Sequence, residues 1–350
     1  MFELKKVSFN VTNGCNLRCE HCFASSGVPL ERELTFKEIS GFLRDLYGLG
    51  VFELEFSGGE PFVRPDFLDI LKLADSMDFS LEILTNGTLI DDKIVKILEN
   101  LSVRTIQISI EGLKKTHETL RGGGTFDRTL MAIKLLKDAG MHVQARTTIT
   151  KNSLSDIEAL ADLLVEMDVD AFLASEFIPI GRGLGKNDLV LGFEEKEILQ
   201  NILNRVRIKH SSNLLIRGDA YSGFEENEDI KRYGESKRSI LCGALRGDWC
   251  AISPNGIVTP CDIIHFYAGN LRLQRIDDIW RTSPVINAFR NFNQGLLTGS
   301  CGACESRVIC GGCRALAFLY YGNFYGEDPM CWKASKSPLR SSIPPTLIEA

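Results

Sequence analysis

The sequence predicts an α/β chain in two parts, a partial (β/α)6 barrel followed by a small cysteine-rich unit. Three observations predict it. Short strand-like runs alternate with helical ones up to about residue 180. Several of those runs carry polar residues at every second position. The eleven cysteines fall into two groups, three before residue 23 and eight from Cys242 to Cys331. Six strands, each returned by a helix, make a parallel sheet and fit an open barrel better than a closed one of eight strands.

The first strand is expected over Lys6–Val11. Thr35 and Glu38 then form a capping-box pair for a helix near 35–48, with Ile39, Phe42, Leu43 and Leu46 on one face. Further strands are expected at Val51–Ser57, Ser80–Leu84, Val103–Ile110, Met141–Ile149 and Ala171–Ile178. Helices lie between them near 65–76, 91–100, 126–139 and 155–168. Glu53, Glu55 and Ser57 share a face, as do Gln107, Ser109 and Glu111, and Gln144, Arg146 and Thr148. Crossover helices cover the outside of such a sheet, so these polar faces point into a ligand-holding lumen. The alternative is that some of these strands sit at a sheet edge. A loop over 181–190, a helix near 193–208 and a charged surface connection over 225–237 precede the cysteine-rich part. The expected division is a barrel over 1–190, a bridging region over 191–240, a cysteine-rich unit over 241–335 and a mobile tail over 336–350.

Hydrophobic content of 44% supports a proper core, and a net charge of −6 argues against nucleic acid as the main partner. The start of the chain has no long apolar segment of a secretory signal, and no run approaches the roughly 18 residues of a membrane span. A cytoplasmic location follows. There, eleven cysteines point to metal ligation rather than to disulfides, with iron–sulfur favoured over structural zinc.

Cys15, Cys19 and Cys22 are spaced C-x3-C-x2-C. A 4Fe–4S cubane takes four thiolates, so a loop of three leaves one iron open to a small molecule. SGGEP at Ser57–Pro61 follows the second strand, where Gly58 and Gly59 permit a close backbone approach. LTNGT with Asn86, SIEG with Ser109 and Glu111, Arg146, and PIGRG with Ile180 come at the ends of successive strands. In this order the motifs resemble the radical S-adenosylmethionine (SAM) superfamily, whose fold is TIM-like. The resemblance implies that Cys15, Cys19 and Cys22 hold a cluster that cleaves SAM to a 5′-deoxyadenosyl radical. It implies that Gly58, Gly59, Glu60 and Pro61 meet the SAM amino group, with Glu60 able to accept from the ammonium. It further implies Ser109 and Glu111 near the ribose, Arg146 on the carboxylate, Asn86 nearby and backbone contacts to adenine around Ile180.

The second cysteine group resembles the SPASM extension, which binds auxiliary clusters. Cys242, Gly256, Cys261, Cys301, Cys304 and Cys310 keep its spacing, whereas Cys313 comes after two residues instead of three. By that resemblance one cluster takes Cys242, Cys250, Cys261 and Cys313, and the other takes Cys301, Cys304, Cys310 and Cys331, three clusters in all. Cys250 lies outside the core pattern, and as a free thiol it would leave the first auxiliary cluster with an open iron. His21 reads as packing or a polar contact to the cluster, and His117 and Arg121 as helix-capping or surface residues, with substrate contact as the alternative.

The function expected from the resemblance is hydrogen abstraction by a SAM-derived radical. The main expectation for the substrate is a ribosomally made peptide or protein. The alternatives are a tetrapyrrole or other small cofactor precursor, and a non-catalytic iron–sulfur electron carrier. Expected partners are that substrate, a flavodoxin or ferredoxin as reductant and a separate peptide-recognition protein. The absence of a recognition domain ahead of the barrel slightly favours the small molecule.

Overall fold

The computed structural model describes residues 3–218, 241–308 and 310–331. The expected connection over 225–237 and the tail from 336 lie outside them.

Seven parallel strands run in sequence order: β1 (Lys6–Asn10), β2 (Glu53–Ser57), β3 (Ser80–Thr85), β4 (Val103–Ser109), β5 (Val143–Ile149), β6 (Ala171–Glu176) and β7 (Leu215–Gly218). Their crossovers carry α1 (Phe36–Gly48), α2 (Phe67–Asp75), α3 (Asp92–Leu98), α4 (Lys114–Arg121), α5 (Thr125–Asp138), α6 (Ile157–Glu166) and α7 (Phe193–Lys209). The helices bury Val7, Phe9, Leu54, Phe56, Ile83, Ile106 and Ile108 in one core on the outer face of the sheet. The alternating positions are left for the lumen, as the polar periodicity predicts. There Ser8 bonds Glu55 (2.9 Å), and Lys6 pairs with Glu55 (2.8 Å) and Glu82 (3.0 Å).

The capping box of α1 forms as expected: the Thr35 hydroxyl accepts from Glu38 N–H (3.3 Å), and Glu38 accepts from Thr35 N–H (2.8 Å). Arg272, from the cysteine-rich part, pairs with Glu38 at 2.6 Å and holds its carboxyl down at about 2. Two elements differ from expectation. Helix α4, KKTHETLR, has almost no apolar stripe in its sequence. Strand β7 falls in the segment expected only to bridge.

The sheet also crosses the expected boundary near 241. After α8 (Gly243–Arg246), strand β8 (Trp249–Ile252) pairs in parallel with β1, Val7 opposite Cys250. Then β9 (Ile257–Thr259) and β10 (Gly269–Asn270) extend the sheet antiparallel. The cysteine-rich part is therefore joined to the barrel by main-chain hydrogen bonds.

Candidate functional site

The cysteine loop leaves the C-terminal end of β1, where parallel α/β sheets present their sites. Cys15 N–H donates to Gly27 O (2.9 Å) and Gly27 N–H to Asn13 O (2.9 Å), so the loop closes on its own backbone. The Ser57–Pro61 turn is bonded to its approach, Gly59 N–H to Thr12 O and Glu60 N–H to Gly14 O, both 2.8 Å. Gly58 sits at φ +136°, and a Cβ at Gly58 or Gly59 would collide with the Thr12 or Gly14 carbonyl. The two glycines are thus required by backbone meeting backbone.

Glu60 is engaged within the protein. Its side chain is fully enclosed, and its carboxylate accepts from Asn86 N–H (2.8 Å), the Thr85 hydroxyl (2.7 Å) and Phe62 N–H (3.3 Å). Burial pushes it up to about 7. The carboxylate ties the turn after β2 to the end of β3. Asn86 is likewise engaged: its amide donates to Asn16 Oδ1 in the cysteine loop (2.9 Å), and its oxygen accepts from Thr88.

Glu111 is also engaged within the protein. Its enclosed carboxylate accepts from Arg121 through Nε (2.9 Å) and Nη2, lies 3.1 Å from His21 Nε2, and accepts from Thr148 N–H. Burial opposes its ionisation, but Arg121 and His21 outweigh it and hold the carboxyl well below the usual range. Arg121 Nη1 lies 3.8 Å from Cys19 Sγ. His117 is fully buried and its Nδ1 accepts Glu111 N–H (3.2 Å); burial, then Arg121, lowers it to about 4. His117 is therefore a buried part of the site and Arg121 a half-buried one, neither of them a surface residue. Helix α4 carries both, so missing that helix hid them.

Ser109 and Arg146, opposite each other in β4 and β5, remain open. Arg146 is exposed on the lumen face, and no ion pair engages it among the described residues. Ile180 is half-buried, and the turn after it, Gly181–Gly183, closes on the cysteine loop. Arg182 N–H donates to Cys22 O (2.9 Å), and its guanidinium donates to Cys19 O (2.7 Å) and Ser26 O. A Cβ at Gly181, φ +57°, would collide with Phe23 O.

No disulfide joins any of the eleven cysteines. Burial pushes Cys15 up to about 11, and Cys19 is also raised, with Arg121 opposing. Such thiols ionise only against a bound cationic centre. Among the described residues no three donors converge on one ion-sized point. A cubane takes one thiolate on each iron, and three cysteines on one backbone-closed loop supply that donor chemistry. In the second group, Cys242 caps α8, Cys261 follows β9, and Cys313 precedes α12 (Arg314–Tyr321), which comes after α9 (Ile276–Thr282), α10 (Pro284–Arg290) and α11 (Gly299–Ala303). Burial first, then the nearby Cys313 thiol, holds Cys261 well above its ordinary value, and Cys242 adds to this. Burial raises Cys310 as well, and Asp328, Cys301 and Cys304 act in the same sense. Backbone N–H groups approach sulfur at Cys261, Cys310, Cys313 and Cys301, from Ile263, Gly312, Leu316 and Asp328, at 3.3–3.4 Å.

Cys250 sits apart from these thiols in its surroundings. Its register with Val7 turns it to the helix-covered face, where it is wholly enclosed in the apolar core and its thiol is pushed up by burial. Asp262 was not anticipated, although it directly follows Cys261. Asn10 Nδ2 donates to it (3.2 Å), and burial, then Glu55, pushes it up to about 7. It brings the second cysteine group to the lumen wall.

A cysteine loop at the mouth of an open parallel barrel, with further cysteines stitched to the same sheet, defines a class of iron–sulfur enzyme that works on SAM. The radical SAM superfamily model matches residues 9–164, and the iron–sulfur cluster-binding SPASM model matches 242–305. The AdoMet-dependent heme synthase of Methanosarcina barkeri is 31% identical over 339 residues, covering 93% of this chain and 95% of that protein. The mycofactocin maturase MftC of Mycobacterium tuberculosis is 28% identical over 339 residues, covering 95% and 84%. The Streptococcus suis SuiB structure bound to S-adenosylmethionine shares the fold, with TM-score 0.76, 22% identity and coverage of 94% and 77%. This chain belongs to the radical SAM superfamily and carries the SPASM extension. It is an enzyme whose cofactors are 4Fe–4S clusters and SAM.

Proposed function

We propose that this chain abstracts a hydrogen atom from a carboxylate-bearing side chain of a heme-type tetrapyrrole and oxidises the resulting carbon radical, with loss of carbon dioxide. A reduced cluster with an open iron supplies the electron that splits SAM. Cys15, Cys19 and Cys22 would hold it, on a loop fixed by Gly59, Glu60 and Arg182. Arg146 and Ser109 would orient the SAM carboxylate and ribose in the lumen. Cys242, Cys261 and Cys313 would hold a nearer auxiliary cluster with one open corner, and Cys301, Cys304, Cys310 and Cys331 a farther one. The observation that carries an oxidative outcome is Asp262, one residue from Cys261 and bonded to Asn10 of β1. Removing a hydrogen atom, then carbon dioxide and one electron, turns a propionate into a vinyl group. That electron needs an acceptor beside the lumen.

Heme synthases matched along nearly their whole lengths favour the tetrapyrrole. The maturase match favours the second reading, oxidative modification of a ribosomal peptide presented by a separate recognition protein. A flavodoxin or ferredoxin would supply electrons in the cytoplasm; among the described residues no helix is long and apolar enough to cross a membrane.

Anaerobic reconstitution should give about twelve irons per chain. Under strong reductant, SAM should yield 5′-deoxyadenosine, and an iron porphyrin with propionate side chains should lose carbon dioxide. Cys19→Ala should abolish 5′-deoxyadenosine formation and keep about eight irons. Cleavage persisting in that variant would overturn the assignment. A peptide losing two hydrogens while the porphyrin returns unchanged would favour the second reading.

A further inference from the structure

Arg314 follows Cys313 and is buried, 2% exposed. A guanidinium stays charged and presents five donors, so enclosing it is costly unless acceptors surround it. Nη1 donates to Phe324 O (3.1 Å) and Gly326 O (2.6 Å). Nη2 reaches Cys301 Sγ at 4.0 Å, and the buried Nε meets no acceptor among the described residues. Asp328 completes the arrangement: its N–H donates to Cys301 Sγ (3.3 Å), and its carboxylate accepts Cys313 N–H (2.6 Å) and Met330 N–H (2.9 Å). A buried cation and one shared aspartate thus lie between a cysteine of each auxiliary set.

We propose that Arg314 is a positioning residue that raises the reduction potential of the cluster at Cys301, Cys304, Cys310 and Cys331 above that of the cluster at Cys242, Cys261 and Cys313. The proposal rests on that assignment of ligands. Reduction adds negative charge to a cluster, and a fixed cation with N–H groups aimed at a ligand sulfur stabilises the reduced form. The nearer set adjoins the lumen through Asp262. An electron received there would pass to the farther set downhill, past Cys313 and Asp328.

The test compares reconstituted full-length wild type, Arg314→Gln and Arg314→Lys by iron content and by EPR-monitored redox titration of each cluster. Arg314→Gln should keep about twelve irons. It should lower one auxiliary midpoint so that the reduced fraction at fixed potential falls on the order of tenfold, about 59 mV for one electron. Arg314→Lys should fall between, and the SAM-binding cluster should not move. Unchanged potentials in loaded variants would overturn the tuning role alone. Loss of about four irons from both variants would also overturn it, making Arg314 a structural residue. A wild type lacking those irons would overturn the ligand assignment and this proposal with it.

Discussion

Arg121 and Glu111 stand or fall together. Glu111 is enclosed and the Arg121 side chain is 11% exposed, and each charge is tolerated because the other faces it. Arg121→Leu strands a buried carboxylate, so it should cost on the order of 3–5 kcal/mol. The thermal midpoint of the anaerobic protein should drop accordingly, and pairing it with Glu111→Leu should recover much of the loss. His117 provides a pH dependence. Its folded value, about 4, lies below the ordinary 6.5, so the unfolded chain binds the extra proton in that window. Stability should therefore fall as pH drops through 6.5 towards 4, by about 1 kcal/mol at pH 5.5 from this group. His117→Gln should flatten that part of the profile, and parallel melting curves at pH 7.5 and 5.5 for both proteins would contradict it. These residues were visible in the sequence, but their roles were not. Alternation tells which face of a strand is polar, yet not whether a carboxylate meets a ligand or a neighbouring loop.

At the scale of elements, the turn Gly181–Gly183 works as a clasp on the cysteine loop. Arg182→Ala would leave the Cys19 and Ser26 carbonyls without their guanidinium partner. Gly181→Ala would add a collision to a left-handed backbone. Both should lower iron from about twelve towards about eight per chain, with the auxiliary EPR signals intact. Equal loss from all clusters would instead mean general misfolding. The first six strands were legible because β-branched, alternating runs have few other stable homes. Helix α4 was not, because tertiary contacts of His117, Leu120 and Arg121 stabilise it in place of an apolar stripe. The short β7 lacked a signal of its own, since its pairing with β6 defines it.

For the whole molecule, the cysteine pattern disclosed two groups but not their connection to the sheet. Parallel pairing of β8 with β1 places Cys250 in the apolar core, and we expect it to bind no iron. Cys250→Ala should therefore leave the iron count unchanged and cost about 1–2 kcal/mol through a small cavity, measured by thermal unfolding. Loss of one cluster in that variant would return Cys250 to the ligand set. The same pairing has a consequence for biosynthesis. As the chain leaves the ribosome, β1 emerges first, but its outer edge is covered only when Trp249–Ile252 follows. Until then the nascent barrel presents an unpaired strand edge, the kind of surface on which chains aggregate or recruit chaperones. Stable burial of that edge waits for the segment flanked by Cys242 and Cys261, which couples maturation of the barrel to arrival of the metal-binding half.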